Sequence, residues 1–134
     1  MAENSTTIRQ SRYFAGVTPA ELYAAFLDGK KHSRMTGGAA KCVAKEGGAF
    51  SAWDGYISGV NLKLDPDRTI VQTWQTTEWP EAAPPSRLRW SFAVEKEGTR
   101  VTLTHSKVPP SQIESYRQGW IDFYWSPMAR YFSR

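Results

Sequence analysis

Gly47–Leu62, GGAFSAWDGYISGVNL, is nearly free of charge and carries the strongest local signal in the chain. At its centre Asp54-Gly55 supplies the two residue types that tolerate positive φ, as a two-residue hairpin turn requires if its twist is to match the flanking strands. Trp53 and Tyr56 then face each other across the turn, and Gly59 leaves a gap where a strand can bulge or another group can approach. A curved sheet is the expectation.

Outward from this hairpin the strands multiply. Phe50 to Trp53 and Tyr56 to Leu64 form its arms, Asp65-Pro66-Asp67 turns the chain, and Thr69 to Thr76 returns it. Leu88, Trp90, Phe92 and Val94 alternate with Arg89, Ser91 and Ala93, and Val101 and Leu103 alternate with Thr102 and Thr104, so each strand presents one buried face. The intervening segment from Glu78 to Arg87 holds Pro80, Pro84 and Pro85, which prevent regular pairing and leave Trp79 in a loop in need of an apolar partner.

Helices bracket the strands. After a strand from Thr7 to Phe14, Thr18, Pro19 and Glu21 spell a capping box, with Val17 and Leu22 as a hydrophobic staple. Leu22, Tyr23, Phe26 and Leu27 give the helix an apolar stripe that Gly29 ends, and Lys30 to Ala40 adds a further helical turn before Gly37 and Gly38. Near the end, Ser111 and Glu114 predict a second capping box ahead of Ile113, Tyr116, Trp120, Phe123 and Tyr124 at helical spacing. Pro127 predicts a kink near Phe123 or a new short piece capped by Ser126. The order strand, helices, about six or seven strands and a long final helix implies an α+β layer arrangement.

With 134 residues, the expectation is a flexible N-terminus over 1–6 and one domain over 7–134. The first fourteen residues contain no apolar run, so neither a secretory signal nor a membrane span is expected, and the lone Cys42 fits a reducing, cytoplasmic compartment. The net charge of +4 lies wholly in the first 45 residues, where seven bases face three acids. Lys30, Lys31 and Arg34, together with the Trp79 loop, are therefore candidates for meeting an acidic partner. Nucleic acid is not expected, because no binding motif accompanies the charge.

Catalytic signatures are missing. GxSxG, GxxxxGK, GxGxxG and HExxH do not occur, and His32, His105 and Cys42 are too scattered to suggest a metal site. No cofactor, metal or catalytic residue is assigned. His105 faces inward at the end of its strand, as a core histidine or one that recognises a polar ligand head, whereas His32, among lysines and an arginine, is expected on the solvated surface. A curved sheet lined with rings and facing an aromatic helix can leave an apolar pocket, for which Trp53, Trp74, Trp90, Phe92, Val101, Leu103, His105, Trp120 and Tyr124 are the candidate walls.

Several blocks in order now carry a resemblance: TPAELYAAFLD (Thr18–Asp28), GGAFSAWDGYISG (Gly47–Gly59), IVQTW (Ile70–Trp74), EWP (Glu78–Pro80) and YRQGWIDFYW (Tyr116–Trp125). The chain resembles the START-like (SRPBCC) superfamily, and within it the C-terminal domain of activators of the heat-shock protein 90 ATPase. That resemblance implies a helix-grip fold, in which a curved antiparallel sheet wraps the final helix and often encloses an apolar cavity. It suggests a non-enzymatic domain that binds an apolar or amphipathic small molecule; the alternatives are a co-chaperone or stress-related module contacting a chaperone, and, behind both, a START-like cyclase or hydrolase. Family members that stimulate the chaperone usually carry an additional N-terminal domain. No such domain is expected here, so strong activation is not expected to carry over, while the resemblance leaves a weaker contact through the shared domain open.

Overall fold

The computed structural model describes residues 6–133. Apart from Thr6, the segment expected to be flexible lies outside the described residues. Seven strands form one antiparallel sheet in the order β1-β7-β6-β5-β4-β3-β2. They are β1 (Ile8–Ala15), β2 (Lys41–Cys42), β3 (Ala49–Ala52), β4 (Ile57–Asp65), β5 (Thr69–Thr76), β6 (Ser86–Glu95) and β7 (Gly98–Ser106).

Between β1 and β2 run α1 (Pro19–Leu27) and α2 (Gly29–Thr36). The capping box forms as the sequence dictates: the Glu21 N–H donates to Thr18 Oγ1 at 3.1 Å and the Thr18 N–H to Glu21 Oε1 at 3.2 Å. Asp28 ends α1 and caps α2, its carboxylate accepting from the N–H groups of Lys30 and Lys31 at 2.9 and 3.1 Å. Those two bonds, Lys31 first, hold the exposed Asp28 carboxyl below its ordinary pKa.

The hairpin turn follows its sequence closely. Asp54 and Gly55 both have positive φ, and the Tyr56 N–H donates to Trp53 O at 3.1 Å. Trp53 also lies at φ 51, an uncommon place for a bulky side chain. At Gly59 the sequence allowed a bulge or a close approach, and the close approach is what occurs: a Cβ there would collide with Thr73 O and sit 2.7 Å from the ring of Phe50. The register shift falls instead between Asn61 and Lys63. Asn61, fully buried, accepts from Gln72 Nε2 at 2.9 Å and donates to Val43 O at 3.0 Å, pinning the 43–48 loop to the sheet.

The C-terminal helical region departs from expectation at both ends. A 3-10 turn (Pro110–Gln112) precedes α3 (Ile113–Trp120), and no side chain caps it; Glu114 pairs with Arg117 at 3.5 Å instead of closing a capping box with Ser111. Ahead of Pro127 the irregularity falls around Phe123, and no Ser126 side chain caps the piece that follows. A π-helical segment (Ile121–Trp125) leads into α4 (Ser126–Tyr131), with the Ser126 N–H reaching back to Ile121 O. The wider turn accommodates a ring that has no N–H to give the ladder.

This helix crosses the concave face of the sheet. Trp120 packs edge-on to Trp90 at 5.5 Å, and Trp125 meets Trp90 at 5.8 Å and Phe14 of β1 at 6.4 Å between ring centroids. Phe26 of α1 closes the layer, 4.4 Å from Trp90. Gln10 fastens the sheet edge to the helix, donating to Arg117 O at 3.0 Å and accepting from Trp125 Nε1 at 2.7 Å. Each large side chain sealed here contributes roughly 1.5–3 kcal/mol. Val94, expected inside, is 76% exposed near the end of β6.

Candidate functional site

The sheet and the helix do not meet everywhere. Between the hairpin turn, β5 and the start of the helix lies a cavity of about 360 Å³, lined by Trp53, Tyr56, Ile57, Trp74, Glu78, Ser115, Tyr116, Gly119, Trp120, Phe123 and Tyr124. Ser115, Gly119 and Phe123 recur every fourth residue, so one stripe of the helix faces this space. Two small residues followed by a large one indent that stripe. A Cβ added to Gly119 would meet nothing nearer than Phe123 Cδ2 at 3.9 Å.

Of the nine residues proposed from sequence as walls, the cavity brings together Trp53, Trp74, Trp120 and Tyr124. Trp90, Phe92, Val101, Leu103 and His105 are absent from its lining and sit in the packed core, none more than 5% exposed. His105 has no free valence to offer a ligand. Trp120 Nε1–H donates to its Nδ1 at 3.1 Å, which places its own proton on Nε2, 2.7 Å from Ser86 Oγ, and Ser86 donates onward to Trp74 O at 2.8 Å. Burial lowers its pKa to about 3, so the ring is neutral.

His32 corrects the surface expectation. It is 6% exposed, and its Nε2 is hydrogen-bonded to the Tyr124 hydroxyl at 2.8 Å, because Lys31 and Arg34 lie on the outer face of α2 while His32 turns inward. Desolvation drops its pKa to about 4 and raises that of the buried Tyr124. Lys30, Lys31 and Arg34 are exposed. Trp79 is partly buried rather than free in its loop, since its Nε1 donates to Pro84 O at 3.0 Å and its ring stacks on Tyr116 at 5.9 Å.

The mouth of the cavity carries most of its polar chemistry. Tyr56 donates a short hydrogen bond to the Glu78 carboxylate, and desolvation followed by that bond raises the phenol pKa. Behind it Thr76 Oγ1 and Tyr116 OH lie 2.6 Å apart. Trp53 lies over Gly38, where a Cβ would come within 2.5 Å of its ring, and meets the half-exposed Phe123 edge-on at 5.1 Å. Its buried Nε1–H has no acceptor among the described residues. Tyr56, Glu78, Ser115, Gly119 and Phe123 were missed from sequence; small residues at four-residue spacing on an otherwise aromatic helix were the available signal.

Among the described residues no group of three or more histidine, cysteine, aspartate or glutamate side chains could hold a metal. Cys42 is half-buried, accepts weakly from Asn61 Nδ2 at 3.7 Å, and has its pKa raised by burial. No helix of the described residues is long and apolar enough to cross a membrane.

Sheet, helix and cavity together define a helix-grip domain of the START-like type. The chain belongs to the family described as Activator of Hsp90 ATPase homolog 1-like protein, which matches residues 16–133. It is 32% identical over 104 residues to the Activator of 90 kDa heat shock protein ATPase homolog of Dictyostelium discoideum, covering 77% of this chain and 27% of that one. It is 29% identical over 115 residues to Activator of 90 kDa heat shock protein ATPase homolog 1 of Homo sapiens, covering 86% and 34% respectively. The chain thus spans only about a third or less of the length of these relatives. Among solved structures, an HSP90 activator from Plasmodium falciparum superposes with a TM-score of 0.86 over 96% of both chains at 24% identity. The Aha1 dimer from Colwellia psychrerythraea gives 0.75 at 17% identity, covering 90% of this chain and 91% of that one.

Proposed function

We propose that this chain acts by binding, as a co-chaperone-type domain that contacts a 90 kDa heat-shock chaperone. The observation that carries this reading is its kinship, at 32% identity, with a protein named as an activator of that chaperone's ATPase. The exposed bases Lys30, Lys31 and Arg34 on one short helix offer a surface for an acidic patch on such a partner. Charge reversal at all three is expected to weaken co-purification with the chaperone at low salt, with the wild-type contact itself weakening as salt rises. Absence of the chaperone from a pull-down, with its ATPase rate unchanged by added protein, overturns the reading.

The cavity favours a second, compatible reading: an apolar or amphipathic small molecule held between hairpin and helix. At about 360 Å³ it falls near the lower end of ligand pockets, roughly 300–1,000 Å³. Gly119→Leu fills the indented stripe without disturbing the packed core, so it is expected to abolish binding of an aromatic probe while the protein stays folded. Probe binding that survives this substitution contradicts the reading.

A further inference from the structure

From Glu46 onward ten bases balance ten acids along the chain, yet folding sorts them apart. The face of the sheet turned away from the helices carries Arg9, Arg87, Arg89 and Lys63, all exposed. Three of them fall in one row across five strands: Arg9 pairs with Thr104, Thr104 with Arg89, Arg89 with Val71 and Val71 with Lys63. Neighbouring strands lie about 4.8 Å apart, so successive bases in this row are roughly 10 Å apart. Arg87 stands two residues from Arg89 on the same side of β6, about 7 Å away. We propose that this outer face is a docking surface for an acidic polypeptide segment that lies extended across it.

The four bases are uncompensated. Among the described residues, ion pairs join Arg100 to Glu95 at 2.8 Å and Arg117 to Glu114 at 3.5 Å, and none involves Arg9, Arg87, Arg89 or Lys63. Of the acids near this face, Glu95 is taken by Arg100, Glu46 accepts from the Leu64 N–H at 3.0 Å, and Asp65 stands at the end of β4. A face kept only for solvation gains stability from opposite charges paired across strands; here threonine and valine separate like charges and no acid intervenes in the row. The summed field of such a face favours a negative partner. Arginine forks match carboxylates, and alternate side chains of an extended chain project to one side about 7 Å apart, the spacing of Arg87 and Arg89. Single-stranded nucleic acid asks instead for rings on which bases stack; Tyr13, on the edge strand of this face, already has Arg100 over its ring at 5.8 Å. The helix fills the concave side, so this side is convex, and a chain that bends over it meets more of its bases at once than a flat lipid surface does. Because α2 packs against α4 on the helical side, this surface is separate from Lys30, Lys31 and Arg34 and does not rest on the chaperone reading.

Three probes separate the possible occupants at low salt: a peptide of alternating glutamate and serine long enough to cross the sheet, a thymidine oligonucleotide of the same length, and vesicles of phosphatidylcholine and phosphatidylserine. Each is titrated by NMR into wild type, into a variant combining Arg87→Glu with Arg89→Glu, and into one combining Lys30→Glu, Lys31→Glu and Arg34→Glu. The peptide is expected to bind most tightly and to shift the amides of Arg9, Lys63, Arg87, Arg89 and Thr104. The double reversal on β6 should weaken it about tenfold, with the remaining affinity falling as salt rises. The triple reversal on α2 removes more net charge, yet should weaken it less than about threefold, because those bases lie on the other side of the sheet. The map of shifted amides in wild type decides the matter if the β6 variant does not fold. Loss of binding in the α2 variant with none in the β6 variant overturns the proposal and leaves the α2 contact standing. Oligonucleotide or vesicle binding as tight as the peptide's overturns the assigned occupant. Peptide shifts spread over the helical side, or no shift at all, overturn the surface itself.

Discussion

On one flank of the final helix Trp125 packs between Phe14 and Trp90 and donates to Gln10, and Trp120 donates to a histidine that is itself hydrogen-bonded to Ser86. On the other flank Trp53 lies over Gly38 at positive φ with its N–H unmatched, beside a Phe123 that is 50% exposed. Both flanks are aromatic. They differ in whether the polar handles on the rings are satisfied and whether small residues hold the helix away from the sheet. Satisfied rings build the fold; unsatisfied rings around a gap leave recognition to be done.

The largest effect expected from breaking this contrast is on the packed flank. Trp90→Ala should cost about 3–5 kcal/mol in denaturant unfolding, because it empties a site that Phe26, Trp120 and Trp125 all touch. A loss below about 1 kcal/mol would mean that this flank is no better packed than the cavity.

Acid should come next. His105 and His32 have folded-state pKa values of about 3 and about 4, against 6.5 in the unfolded chain. Below pH 6.5 the unfolded state takes up protons that the folded state refuses. Their contribution is therefore complete above about pH 6.5 and is lost as pH falls toward 4 and then 3, by a few kcal/mol in all. Unfolding curves between pH 7 and 4 test this, and His105→Gln should flatten the dependence. An equally steep fall in that variant would assign the acid sensitivity elsewhere.

Smaller effects belong to the open flank. Gly119→Leu should leave stability unchanged or raise it by up to about 1 kcal/mol, since it replaces a helical glycine and fills space. Marked destabilisation would show that the gap is smaller than it looks. Phe123→Ala should change stability least, by within about 0.5 kcal/mol, while weakening probe binding through loss of the ring beside Trp53.

The packed flank was far more legible in sequence than the open one. Alternation in β6 and β7 placed Trp90, Phe92, Val101 and Leu103 inside, the capping box located α1, and Asp54-Gly55 located the hairpin turn. Inside, however, is not the same as lining a cavity. Period-two alternation names the face that a residue takes, whereas the depth of the helix above that face depends on Ser115 and Gly119, residues with little weight in a hydrophobic pattern. His32 was hidden for a related reason: its charged neighbours set the character of the segment, while burial is decided by the angle of one side chain on a short helix. The π-helical segment was signalled only as a disturbance at Pro127, and it leaves Phe123 half out while Tyr124 and Trp125 point in.

The most direct test of the contrast is an NMR titration of the six tryptophan indole N–H resonances with 2-acetylnaphthalene. The account predicts that Trp53 and Trp74, which line the cavity, shift in a saturable way, while Trp90 and Trp125 in the packed flank stay in place. Shifts as large at Trp90 and Trp125 as at Trp53, or none at any of the six, would contradict it.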